Sequence, residues 1–213
     1  MPTRYLQIDC SRPDRESIRT ITELVASGGI MVYPTDTIYG LGCDAANASA
    51  VEKVNRLKMR VPGRPLLVLI PGLDWVTRWA DEIPPACRKI ISSCWPGPLT
   101  MILKASVQAP RELSGDGHTI GLRWADHPFL QAVLDELGTP LVSTSANISG
   151  SEPLRRPGDA HHDWLQNVDM VVDGGPLMGK ESTVLDFSGK LPKLLREGAI
   201  SRGALEANLG PLD

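Results

Sequence analysis

The apolar residues of this chain come in short runs, each cut off by proline, glycine or a polar cluster. Examples are IMVY (30–33), LLVLI (66–70), LTMILKA (99–105) and PLV (140–142). Runs of this length suit strands buried on both faces. None approaches the ~20 apolar residues of a membrane helix. Between them lie stretches of helical period. Ile18, Ile21, Leu24 and Val25 share one face before Gly28-Gly29. A second helix is expected from about Ser49 to Lys58, with Val51, Val54, Leu57 and Lys58 on its stripe. A third runs around Trp75–Ala80, and a fourth starts at Pro84-Pro85. A fifth carries Leu130, Val133, Leu134 and Leu137, capped by Asp126, with Pro128 in its first turn and Gly138 at its end.

TIGLRW, VDMVVDGG, STVLDF and KLLRE read as further strands. Some successive strands, such as LTMILKA and TIGLRW, lack a helix between them, so strict doubly wound alternation is excluded. The expectation is one α/β domain over residues 1–213, with a twisted, mixed, open sheet flanked by helices. The segment SGSEPLRRPGDAHHDW is the expected mobile loop.

Three segments are too polar for the apolar strands beside them: Thr35-Asp36-Thr37, Ser143-Thr144-Ser145-Ala146-Asn147 and Glu181-Ser182-Thr183. Each alone reads first as turn and cap chemistry. Three converging on one sheet edge would make a ligand site, since ligands collect outside strand ends. A cation cluster, Arg56, Lys58, Arg60 and Arg64, follows the second helix. Cations there complement the helix dipole. Lys58, however, shares the stripe of Val51 and Val54, so its stem is directed inward. The residues alone yield an anion pocket of cations and hydroxyls, suited to phosphate or carboxylate.

Other chemistries lack their patterns. There is no GxxxxGK[ST], no GxSxG, and GLGCDA is an incomplete nucleotide turn. Cys10, Cys43, Cys87 and Cys94 lack the close pairing of zinc ligands and read as reduced thiols, and His161-His162 reads as surface. No metal site is assigned. The formal net charge of −3 gives no basic coat for nucleic acid. MPTRYLQIDCSRPDRES is polar and unlike a signal peptide, so a cytoplasmic protein with no membrane association is expected.

VYPTDTIYGLGCDA, LKMRVPGRPL, WPGPLTMIL, TIGLRWADHP, PLVSTSANISG, STVLDF and LLREGAI, in that order, resemble the YrdC family of L-threonylcarbamoyladenylate synthases across about residues 14–202. The resemblance implies a YrdC-like fold in its short form. It also implies a reaction of L-threonine, bicarbonate or CO2, and ATP that gives threonylcarbamoyl-AMP and pyrophosphate. Mg2+ would be held mainly through the ATP phosphates. A downstream threonylcarbamoyl-transferase complex would then modify adenosine in tRNA, with direct tRNA contact left open.

The family's Lys-Arg-Ser-Asn set falls on Lys58, Arg60, Ser145 and Asn147, implied to be catalytic and to hold ATP phosphate and carbamate oxygens. Thr35, Arg123, Ser143 and Ser182 are implied threonine contacts, with Arg123 on the carboxylate. Thr119 and Arg196 are implied nucleotide contacts. Two departures stand out. Val61 precedes Pro62 where many members have proline directly, and LLVLI lacks a histidine that some members carry there. The rival readings are a paralogue of the same fold acting on another substrate, and an RNA-binding module using the basic cluster.

Overall fold

The computed structural model describes residues 2–59, 63–160 and 162–213, with the side chain of His162 excepted. In chain order the strands are β1 (Arg4–Gln7), β2 (Met31–Tyr33), β3 (Gly40–Gly42), β4 (Leu67–Leu69), β5 (Leu99–Lys104), β6 (Thr119–Arg123), β7 (Leu141–Val142), β8 (Thr144–Ser145), β9 (Met170–Asp173), β10 (Thr183–Asp186) and β11 (Lys193–Arg196). The helices are α1 (Arg15–Ala26), α2 (Ala48–Leu57), α3 (Asp74–Trp79), α4 (Pro85–Cys94), α5 (Pro128–Leu137), α6 (His162–Leu165) and α7 (Arg202–Leu209).

Helix boundaries follow local chemistry. The Asp14 side chain accepts from Ser17 N at 2.8 Å and opens α1, and Gly28 closes it at φ +87°. Asn47 does the same for α2 through Ala50 N. For α5 the expected cap is corrected: His127, not Asp126, occupies the N-cap position, and no side chain caps the helix. The reason is Pro128 at the first helical position. Its ring presets φ and removes one N–H that would need a partner, and it forces His127 into the extended backbone seen there. Gly138 ends α5 at φ +67°.

The α/β class is as expected, but the strands divide between two mixed sheets instead of one. The first has the order β1-β9-β2-β3-β8 and the second β11-β10-β5-β6-β4-β7. β1, β9 and β2 run parallel, whereas β3 and β8 are antiparallel to their neighbours. In the second sheet β5 lies parallel to β10 and antiparallel to β6.

The division has one cause. The stretch LVSTS serves both sheets, because β7 is the edge of one and β8 the edge of the other, with Ser143 between them. Val142 N bonds Cys43 O and Ser143 N bonds Leu67 O, each at 2.9 Å, which ties the two edges into a seam. Gly42 is required at this seam, because a Cβ there would overlap Val142 O.

The sequence reading gave no strand at β1 or β3. β1 is an exposed edge whose residues are mostly polar. β3 is Gly-Leu-Gly, and its glycines answer to backbone and ring contacts, with a Cβ at Gly40 lying 3.0 Å from the Tyr33 ring.

Two apolar cores result. α1 and α5 pack over one face of the first sheet, burying Ile18, Ile21, Val25, Phe129, Leu130, Val133 and Leu134 with Met31 and Val172. The larger core joins Val32, Leu41, Val51 and Val54 to Leu99, Met101, Leu103, Leu122 and Leu185. Among the described residues no helix is long and apolar enough to cross a membrane.

Candidate functional site

A cleft of about 450 Å³ opens at the seam. All three polar segments reach it, represented by Thr35 and Thr37, by Ser143, Thr144, Ser145 and Asn147, and by Glu181 and Ser182. The convergence lies between two sheets, not on one sheet edge. Strand alternation supplies the floor. Thr100 and Ile102 of β5, Gly121 and Arg123 of β6, and Leu67 of β4 face the cleft. Register sets Ile102 and Leu67 on either side of Gly121, where the missing side chain leaves the floor open.

Lys58 lies at one end. It is the C-cap residue of α2, is 3% exposed, and turns its stem inward with Val51 and Val54. Its ammonium donates to Ser145 O at 2.7 Å, to Ser145 Oγ at 3.2 Å and to Asn147 Oδ1. Ser145 Oγ donates to the same Asn147 oxygen at 2.7 Å, and Asn147 Nδ2 donates to Ser151 O. A buried ammonium binds an anion more strongly than it binds neutral acceptors such as Ser145 and Asn147.

The cation cluster is split by this geometry. Arg56 faces solvent opposite Glu52, whereas Arg64 lines the cleft. Arg60 lies outside the described residues, as does His161.

Arg123 marks the other end. Its side chain is 5% exposed and pairs with Asp36 at 2.5 Å. Nε donates to Gly97 O and Nη1 to Thr37 Oγ1, each at 3.2 Å. Burial pulls its pKa down and the Asp36 carboxylate opposes that pull, so the guanidinium stays charged in a fixed seat.

The hydroxyls beside it are accounted for. Thr35 donates its single proton to Ile38 O at 2.7 Å and accepts from Thr37 N and Ile38 N. Thr37 therefore supplies the proton of the 2.9 Å bond between the two threonines. In this arrangement Thr35 shapes the turn and keeps no proton for a ligand.

Ser143, at the seam, is 8% exposed and lines the cleft. Ser182 Oγ lies 2.9 Å from Thr100 Oγ1 and accepts from Arg196 Nη2 at 3.2 Å. Arg196 also pairs with Glu181 at 2.6 Å. Thr119 is not brought into the lining, and its hydroxyl donates to Asp116 O at 3.4 Å. Thr100 was missed from sequence because LTMILKA reads as uniformly apolar. A threonine inside such a run, on the face opposite Met101, is the signal that was there.

The profile of the Sua5/YciO/YrdC family, described as "Telomere recombination", matches residues 23–198. The chain belongs to this family. It is 35% identical to the threonylcarbamoyl-AMP synthase of Bacillus subtilis over 192 residues, covering 89% of this chain and 55% of that protein. It is 32% identical to uncharacterized protein YciO of Escherichia coli, covering 92% of this chain and 96% of that one. Pyrococcus abyssi Sua5 complexed with L-threonine has the same fold, with TM-score 0.91 at 28% identity over 99% of this chain and 62% of that one. Escherichia coli YciO superposes with TM-score 0.85. The chain thus spans somewhat over half the length of the synthases of B. subtilis and P. abyssi that it matches.

Proposed function

We propose that this chain forms threonylcarbamoyl-AMP from L-threonine, bicarbonate or CO2, and ATP. One observation carries the reading: a single cleft joins the Lys58–Ser145–Asn147 triad to the seated Arg123 guanidinium. Relatives named threonylcarbamoyl-AMP synthase, and a threonine complex of a relative, support the choice of substrates.

In this reading the threonine carboxylate lies on Arg123, with Ser143, Ser182 and Thr35 around the amino acid. The amine adds to CO2, forming a C–N bond and releasing a proton. A carbamate oxygen then attacks the α-phosphorus, and the bond to the β-phosphate breaks, releasing pyrophosphate. Lys58, with Arg60, holds phosphate and carbamate oxygens, while Ser145 and Asn147 orient the phosphates. Arg196 meets the nucleotide, and Thr119 would have to do so from outside the described lining.

Positioning and charge neutralisation do the work, because the reacting partners are all anionic. In this reading Mg2+ would be held through the nucleotide phosphates, and the cleft's Glu181 and the neighbouring Asp36 are each paired with an arginine. The proposed product would serve a threonylcarbamoyl-transferase complex acting on tRNA, and a cytoplasmic location is part of the same proposal.

The test is pyrophosphate release from Mg-ATP with and without threonine and bicarbonate. Release that needs both supports the reading. One finding favours a second reading, a paralogue using another acid: the match to YciO is nearly end to end. Threonine-independent release that another amino acid stimulates would support that paralogue. Salt-dependent RNA binding without turnover would instead support an RNA-binding module.

A further inference from the structure

Thr100 carries no assigned role, yet its hydroxyl decides how many protons the cleft offers next to Ser182. Both residues are buried, at 3% and 4% exposure, and both line the cleft. Their oxygens are 2.9 Å apart, and this is the one side-chain bond of Thr100 among the described residues.

Hydrogen-bond bookkeeping then fixes the outcome. The two hydroxyls own two protons, and one of them lies between the oxygens. Arg196 Nη2 can only donate, so it occupies a lone pair of Ser182 and absorbs no proton. Among the described residues neither hydroxyl has a further acceptor. Whichever residue donates to the other, one buried O–H remains without a protein partner, and it borders the cleft.

The surroundings say what it is for. Thr100 is paired with Val184 of β10, and it directly precedes Met101, whose β6 partner Leu122 is next to Arg123; both Thr100 and Arg123 line the cleft. Arg196 stands on the other side of Ser182, close enough that its charge adds to the downward pull on the Arg123 pKa. An oxygen placed here meets a hydroxyl proton between two guanidinium groups. A leftover buried donor is costly unless an acceptor arrives, and a charged acceptor makes the stronger bond.

We infer that Thr100 and Ser182 form one donor unit that delivers a single hydroxyl proton to a carboxylate oxygen of the amino-acid substrate. The inference rests on the functional reading above and deepens it. The unit is redundant by construction. Removing either hydroxyl leaves the other to donate, less well oriented, whereas removing both leaves none.

The experiment is calorimetric titration of L-threonine into wild type, Thr100→Val, Ser182→Ala, the double variant and Thr100→Ser, with thermal unfolding as the check on folding. Each single variant should weaken threonine binding several-fold. The double variant should lose roughly ten- to a hundred-fold, more than the product of the singles. Thr100→Ser should restore wild-type affinity, and the ATP affinity and its KM should stay unchanged in the threonine-100 variants. A double variant equal to Ser182→Ala alone, or equal to the product of the singles, overturns the inference. Wild type that binds no threonine would strike down the functional reading itself, a result distinct from intact binding with an additive double variant.

Discussion

Arg123 and Asp36 make a buried pair that neither residue can leave without consequence. Removing one member of such a pair typically costs about 3–5 kcal/mol, because the other is left buried and charged. Arg123→Met should therefore lower Tm by on the order of 10 °C at this chain length and, if the proposed function holds, abolish threonine-dependent pyrophosphate release. Pairing it with Asp36→Leu should return much of the Tm but none of the activity, and calorimetry beside the release assay separates the two. The inward stem of Lys58 was legible in the sequence, because Val51, Val54 and Lys58 share a helical stripe. The Arg123–Asp36 pair was not, because it joins a loop to a strand 87 residues away and no local pattern encodes it. His127 adds a pH effect. Burial pulls its pKa below the ordinary 6.5, with Asp36 and Asp126 opposing and Arg123 reinforcing. A depressed value stabilises the fold above pH 6.5, and that contribution is lost as pH falls through the folded pKa. His127→Gln should flatten the fall of Tm below pH 6.5, measured by unfolding scans across that range. Cys43 and Cys87 are both pushed up to about 12 by burial. They should resist iodoacetamide at pH 8 until the chain unfolds, as mass spectrometry of the alkylated peptides will show.

At the scale of elements, the helices were the easier part to read. Caps and glycine stops are local chemistry; α2 and α5 fall within a residue or two of their expected bounds, and α1 stops before the expected Gly28-Gly29. β3 is the instructive failure. Its sequence, Gly40-Leu41-Gly42, carries little strand propensity, and in isolation it looks like half of a phosphate-binding turn. What makes it a strand is tertiary. β2 and β8 pair with it on either side, and Val142 comes so close that only a glycine fits opposite. Gly42→Ala should therefore destabilise by several kcal/mol, beyond the ~1 kcal/mol that typical single changes cost. The check is a denaturant midpoint shift with unchanged slope. Gly179 is a milder counterpart, since a Cβ there would sit 2.6 Å from Thr37 O. If the proposed function holds, Gly179→Ala raises the KM for threonine, because the Thr37 turn helps to seat Arg123.

Across the whole molecule the site is assembled from distant parts. Thr35 and Thr37 come from the first sheet's loop, Lys58 from α2, Arg123 from the second sheet, Ser143–Asn147 from the seam, and Ser182 and Arg196 from the last strands. That three polar segments would meet was readable in outline from their positions after or before apolar runs. That they would meet between two sheets was not, because the sheet switch depends on LVSTS serving both edges. Ligand binding should accordingly stabilise the entire fold. If the proposed function holds, Mg-ATP with threonine raises Tm in proportion to the logarithm of their concentrations, with one transition retained. The seam also bears on how the protein is made. During synthesis Lys58 precedes its cleft partners Ser145 and Asn147 by 87 and 89 residues, and Ser182 and Arg196 follow later still. Contacts so far apart in sequence form slowly. A partly synthesised chain therefore has no finished cleft, and the full lining comes together only as the two sheets close on their shared strand.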